Sequence, residues 1–108
     1  MKSISMTLNL YALAKIKHAE IKGGQEARRL LSEAEILLKK GGEKPYNMAG
    51  LYAIRGEEEQ CRQWLELARR RKKLPTPDQI RSDLILANIN QTVWFKDFLA
   101  RVETVLKR

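Results

Sequence analysis

Glycine and proline divide this sequence into short segments, and this division limits the possible fold more than any other feature. Paired glycines stand at 23–24 and 41–42, a single glycine at 56, and prolines at 45, 75 and 77. Glycine favours helix exits and proline favours the first helical turn, so these residues predict repeated helix ends. Between them apolar residues recur at helical spacing, and no segment shows the sustained alternation of a strand. We therefore predict an all-α fold of about five to six helices.

The apolar stripes predict where each helix lies. They place helices over about 7–22, 25–40 and 45–55. A fourth helix is predicted from about 57 and ends in the run of cations at 69–73, and a last helix begins at about 92. Residues 76–79 (TPDQ) have the pattern of a capping box and predict a short helix around 80–84. Residues 84–87 (LILA) are ambiguous between helix and strand, and 88–91 are predicted to be a polar loop.

Length and composition indicate a single ordinary globular domain over 1–108. The chain has 108 residues, of which 44% are hydrophobic and 31% charged, and no apolar run approaches the length of a membrane span. The N-terminal stretch is weakly apolar and is soon followed by Lys15 and Lys17, with no small-residue cleavage site. We therefore interpret it as the first helix rather than a signal peptide. A single cysteine cannot form an internal disulfide, and we expect a cytoplasmic protein.

Nothing in the sequence favours an enzyme. Cys61 and His18 are the sole cysteine and histidine, so a zinc site lacks ligands, and Cys61 fits a buried packing role better than that of a nucleophile. Glu57-Glu58-Glu59 complements the positive end of a helix, and the glycine pairs lack the residues of a phosphate loop. We expect no catalytic residue, no metal and no cofactor.

Two features suggest a surface for a partner. Five consecutive cations, Arg69, Arg70, Arg71, Lys72 and Lys73, stand in a chain of net charge +8 and pI about 9.9. This basic patch is either a solvated helix end or a docking surface for phosphate or acidic protein. Trp64 adjoins the packing stripe and is expected in the core. Trp94 adjoins Phe95, and since only one of the two can point fully inward, Trp94 is a candidate for a partly exposed anchor.

A repeat is visible when the fourth helix is shifted onto the second. Cys61, Leu65 and Ala68 fall on Ala27, Leu31 and Ala34, each 34 residues earlier. A period of about 34 residues is typical of the tetratricopeptide helix–turn–helix. Residues 46–68 resemble such a repeat: Ala49 matches the small residue of the first helix, Tyr52 its aromatic residue and Gly56 the glycine between the helices.

The stretch after Pro75 also resembles the tail that closes many tetratricopeptide arrays. The matching residues are Arg81, Asp83, Leu84, Ile89, Phe95, Phe98 and Leu99. The resemblance implies a repeat over about 7–41, a second over about 43–74 and a capping tail over about 76–108. The first repeat is degenerate, since Tyr52 falls on His18 and Gly56 on Lys22 at this offset. The tail, or self-association, could then supply the third layer that such arrays usually need.

The family resemblance also implies a function. First helices of tetratricopeptide repeats line a concave groove, which in the second repeat would present Tyr46, Asn47, Gly50 and Ala53 to a peptide or helix of a protein partner. We therefore expect a non-enzymatic protein-interaction module of short stacked helical hairpins. One alternative is a basic adaptor that binds nucleic acid or another polyanion through the Arg/Lys patch. Another is a homo-oligomeric structural element, such as a homodimer.

Overall fold

The structure, a computed structural model, describes residues 11–18 and 22–106, with side chains up to 104. This part of the chain forms six α-helices and one 3-10 helix and contains no strand. The helices are α1 (described over 11–18), α2 (Gly24–Lys40), α3 (Pro45–Arg55), α4 (Glu58–Arg70), α5 (Pro77–Arg81), the 3-10 helix (Leu84–Ile89) and α6 (Val93–Leu106). The prediction of an all-α chain is confirmed for these residues.

The helix ends lie close to where glycine and proline predict them. The N–H of Gly41 donates to the Leu37 carbonyl at 2.9 Å and closes α2. Pro45 occupies the first turn of α3, and Gly56 ends that helix in the left-handed region at φ 78°. A residue with a Cβ is strained in that conformation, so glycine is the fitting residue there. The fourth helix ends at Arg70, because Lys72 adopts a left-handed φ of 57°.

The segment from Thr76 to Gln91 agrees with its prediction in part. The capping box is confirmed: Gln79 N–H donates to Thr76 Oγ1 at 3.3 Å, and Thr76 N–H donates to Gln79 Oε1 at 3.1 Å. The ambiguous 84–87 run is helical, as the start of the 3-10 helix. The prediction of a polar loop over 88–91 is wrong at its start, because the 3-10 helix continues to Ile89, which is buried.

The core consists of two apolar clusters that meet at α3. The first cluster joins α1 and α2 to Met48 and Leu51. The second joins α4, α5, the 3-10 helix and α6 to Ala49 and Ala53 on another side of α3. The 3-10 helix also reaches both clusters, since Ile85 packs in the first cluster and its neighbour Leu86 in the second. The tail is therefore an integral layer of the core.

Most residues predicted to be apolar packing positions are buried. Cys61, Leu65 and Ala68 of α4 are fully buried, as are Phe95 and Phe98 of α6. Trp64, predicted in the core, is half-buried and packs against both clusters. One position is wrong: Tyr11 is 61% exposed instead of facing the core. Leu8, Ala19 and the Leu106 side chain, also predicted to be apolar contacts, lie outside the described residues.

Short connections set the direction of the helices. Residues 41–44 join α2 to α3, and residues 56–57 join α3 to α4, and α3 packs against both neighbours. Links this short reverse the chain and produce helical hairpins. The molecule extends 42 × 34 × 20 Å, and its thin dimension corresponds to about two helix diameters. No helix in the described part is long and apolar enough to cross a membrane.

Candidate functional site

An open cleft of about 410 Å³ lies between α1, α3 and the segment that leads into the 3-10 helix. Its lining is mainly apolar. It consists of Leu13, Ala14 and Lys17 from α1, Tyr46, Asn47 and Gly50 from α3, and Asp83, Ile85 and Leu86 from the tail. Protein binding pockets usually measure about 300–1,000 Å³, so the cleft is large enough to receive side chains of a partner.

The tail packs closely on α3 at Gly50. A Cβ placed on Gly50 would lie 2.8 Å from Ile85 Cγ2, a distance that real Cβ contacts do not show. Gly50 therefore lets the 3-10 helix approach the α3 backbone. Ile85 is only 5% exposed and belongs to the same apolar cluster as α1 and α2. This contact sets the depth of the cleft at its α3 wall.

A hydrogen-bonded group forms part of the cleft lining. The Tyr46 hydroxyl donates to Asp83 Oδ2 at 2.7 Å, and the Ile85 N–H donates to Asp83 Oδ1 at 3.0 Å. Asp83 thus caps the 3-10 helix and also joins it to α3. Burial, and then the Asp83 carboxylate, raise the pKa of Tyr46 above its ordinary value. Tyr46 therefore stays a neutral donor, and its hydroxyl is already engaged with Asp83.

The α1 wall contributes one exposed charge. Lys15 is turned away toward α2, where its ammonium lies 2.6 Å from Glu33. Lys17 lines the cleft, is exposed and has no carboxylate within ion-pair distance among the described residues. Tyr11 stands one helical turn before Ala14 on α1, and its side chain is exposed.

Three of the four residues predicted to line a groove lie in this cleft: Tyr46, Asn47 and Gly50. Whether they bind a partner stays a prediction. The fourth, Ala53, does not belong to an open surface, because it is 0% exposed and packs with Cys61 in the second cluster. The physical reason is the turn at Gly56, which folds α4 back onto this side of α3.

The α1 residues of the cleft were not identified from the sequence, although a signal for them exists. Leu13, Ala14 and Lys17 precede Tyr46, Asn47 and Gly50 by 33 residues each, and Gly23 precedes Gly56 by the same distance. The offset between α2 and α4 is 34, so an alignment at 34 alone misplaces α1 by one residue. The remaining contributors, Asp83, Ile85 and Leu86, come from the tail, and no periodicity in the first two hairpins points to them.

Trp94, the candidate anchor, is half-buried. Its indole N–H donates to Glu58 Oε1 at 2.9 Å, and its ring meets Phe95 edge-on at 5.8 Å. The partial exposure agrees with the prediction. Because the polar atom of the ring is already paired within the chain, an incoming partner would meet only the remaining apolar surface. A role as an anchor stays a prediction.

The basic patch is exposed along its whole length, from Arg69 to Lys73. Arg69 lies 2.9 Å from Glu66, a carboxylate that also lies 3.2 Å from Arg101. The four cations that follow have no ion pair with any described residue. In the basic patch, Arg69 is therefore paired with a carboxylate, whereas the four following cations are exposed to water.

The cysteine and the histidine lie in different environments. Cys61 is fully buried, and burial, followed by the charge of Glu58, raises the pKa of its thiol to about 12. His18 is exposed on α1. A thiol with this pKa is a neutral packing group at physiological pH rather than a nucleophile. In the described part of the chain, no three His, Cys, Asp or Glu side chains gather as a metal site would require.

Comparison with known proteins does not assign the chain to a family. No protein-family model matches the chain, and neither a curated protein nor a solved structure is significantly similar to it.

Proposed function

We propose that this protein is a tetratricopeptide-like interaction module that binds an apolar segment of another protein in the cleft between α1, α3 and the tail. The observation that carries the proposal is the pairing of positions across the cleft. Residues 13, 14 and 17 of one first helix face the same space as residues 46, 47 and 50 of the next, at a constant offset. Two first helices that line one groove through equivalent positions are the arrangement that such repeats use for partners.

The placement of α6 supports a third layer. Trp94 bonds to Glu58, and Arg101 pairs with Glu66, so α6 lies beside α4 with the same chain direction. These partners are 36 and 35 residues apart, close to the spacing of about 34 in this repeat family. We assign α5 and the 3-10 helix to the position of a third first helix, broken at Asp83. The tail then serves as the capping layer for two repeats.

The lining defines the chemistry of the occupant. Leu13, Ala14, Ile85 and Leu86 offer apolar contact. The proposed occupant is a short segment, helical or extended, that inserts one bulky apolar side chain. Such a role is non-enzymatic. The buried free thiol suits a reducing compartment, so we propose a cytoplasmic location.

The test uses a random-peptide display library selected against the full chain. Peptides that share an apolar position should be enriched, and each is then titrated against variants. Ala14→Trp fills the cleft from an exposed position, so it should weaken binding at least tenfold without disturbing the core. Ala100→Trp, at an exposed position of α6 outside the cleft lining, is the matched control and should bind normally.

Two results would contradict the proposal. One is selection without any enriched peptide, and the other is equal binding by the Ala14→Trp and Ala100→Trp variants. Light scattering of the unliganded protein distinguishes a further case. A dimer that Ala14→Trp dissociates and Ala100→Trp does not would show that a second copy covers the cleft, which overturns the peptide-binding role in favour of self-association.

A further inference from the structure

The topology brings the ends of two helices to one edge of the molecule. The α2–α3 link lies at the carboxyl end of α2, and the α3–α4 hairpin returns the chain to the same side. The carboxyl ends of α2 and α4 and the start of α3 are therefore neighbours. This basic edge carries Lys40, Lys44, Arg70, Arg71, Lys72 and Lys73, all exposed.

The six cations of the basic edge are unneutralised. Elsewhere, six carboxylates of the described residues pair with a cation: Glu26, Glu33, Glu35, Glu66, Asp78 and Glu103. None of the six has a carboxylate within ion-pair distance in the part of the chain that the structure describes. One acidic residue, Glu43, stands exposed on the same edge. The edge thus keeps a clear positive excess.

The negative end of a helix dipole does not account for the whole set. Arg70 lies in the last turn of α4, where a cation is favoured, but Arg71, Lys72 and Lys73 follow the helix. Their backbone is ordered by hydrogen bonds, from Lys72 N–H to the Arg69 carbonyl and from Lys73 N–H to the Ala68 carbonyl. The turn therefore gives the backbone of these three cationic residues a defined conformation beyond the helix.

We propose that the basic edge binds the phosphate backbone of nucleic acid without regard to sequence. The charge is polarised along α4, because Glu57, Glu58 and Glu59 occupy its other end. A partner of high negative charge would therefore meet the basic edge first. Two of the six cations, Arg70 and Arg71, are arginines, whose planar guanidinium groups match the geometry of phosphate oxygens.

A nucleic-acid strand fits this surface better than a membrane does. Membrane binding through amphipathic surfaces needs apolar side chains beside the cations. Of the large apolar side chains exposed in the described residues, Tyr11, Leu84 and Val93 lie on other elements, and Ile36 alone is on a helix that ends at this edge. No aromatic residue interrupts 69–75, so base stacking is not expected. Affinity would come from charge.

The charge model has a measurable consequence in salt. If the edge neutralises about four phosphates of duplex DNA, log affinity should fall with log salt at a slope of about −3.6. That slope weakens binding about 150-fold between about 50 and about 200 mM salt. Single-stranded RNA should give the shallower slope of about −2.8 for the same number of contacts.

The experiment titrates a labelled random-sequence RNA and a DNA duplex into the full chain at several salt concentrations. The edge variant carries Arg70→Gln, Arg71→Gln and Lys73→Gln, and leaves Lys72 with its left-handed backbone unchanged. The matched control carries Lys22→Gln, Arg28→Gln and Lys96→Gln, which remove the same charge from exposed positions off the edge. Circular dichroism establishes that both variants are folded.

The expected result is a slope of about −1.8 for the edge variant on duplex, since half of the six cations and therefore about two contacts of four would remain, and an almost unchanged slope for the control. Equal loss in both variants would show that net charge, not this edge, attracts the nucleic acid. Binding that is insensitive to salt would also overturn the proposal. Capture by phosphatidylserine vesicles without binding of RNA or duplex would assign the edge to a membrane surface instead.

Discussion

Replacing Gly50 by alanine should destabilise the protein, although alanine is the better helix former. In a helix interior alanine is favoured over glycine by about 1 kcal/mol. The new Cβ, however, would lie 2.8 Å from Ile85 Cγ2. That methyl branches directly from the Ile85 Cβ and moves only if the side chain rotates or the 3-10 helix shifts. Overpacking of this kind costs about 1–3 kcal/mol, so we expect a net loss of about 1 kcal/mol.

The sign of this effect should reverse when Ile85 is shortened. In an Ile85→Ala background the clash is absent, and the same Gly50→Ala change should stabilise the protein by up to about 1 kcal/mol through helix propensity. The double-mutant cycle therefore predicts a coupling of about 2 kcal/mol between the two positions. Ile85→Ala alone should cost about 2–5 kcal/mol, because it removes a buried aliphatic side chain.

Urea unfolding followed by far-UV circular dichroism measures all four proteins. The slope of free energy against urea should stay constant across the set, so that midpoint shifts report stability alone. If Gly50→Ala stabilises the wild-type background, or has the same effect in both backgrounds, the close approach of the tail to α3 is not the reason for glycine at this position.

Three further predictions concern Tyr46 and Cys61, two side chains that folding keeps protonated. Tyr46→Phe should cost about 1–2 kcal/mol in urea unfolding, because the Asp83 carboxylate loses the hydroxyl that donates to it, and a loss near zero would show that water replaces this bond fully. The Cys61 thiol should resist alkylation in the folded protein at neutral pH and react in urea, and fast labelling without unfolding would contradict its burial. Since folding raises the pKa of Cys61 from its ordinary value of about 9 to about 12, the folded state binds the proton more tightly, and the stability from this group should fall as pH rises above about 9.

Much of the secondary structure was predictable because its causes are local. The capping box at Thr76 depends on two side chains three residues apart, and the break at Gly56 depends on the conformational freedom of one residue. Such signals can be seen without knowing what packs against them. The extension of the 3-10 helix to Ile89 was missed, since Asn88 and Asn90 suggest a loop and only burial against the second cluster favours a helix.

The candidate site was predictable only in part. Tyr46, Asn47 and Gly50 were identified by their position within the predicted repeat, but Ala53 was placed on the wrong side of α3. Lys17 and Ala14 were not identified, because the first hairpin differs from the second in length by one residue over its first helix and turn. A site shared by three elements depends on how they are arranged, and each element alone carries little information about it.

The sequence by itself determined the helical class, the positions of the turns and the set of residues available for the core, because dihedral preferences and apolar periodicity act over a few residues. Only the tertiary structure decided which surfaces remain open. Apolar residues occur on several sides of α3, so the apolar periodicity does not identify a single buried face. The elements packed on two sides of α3 determine which of its residues are buried. The contact of Ile85 with Gly50 and the bond from Tyr46 to Asp83 join residues 35 and 37 positions apart. Interactions over that distance follow from the packing of whole helices, and they give the cleft its shape.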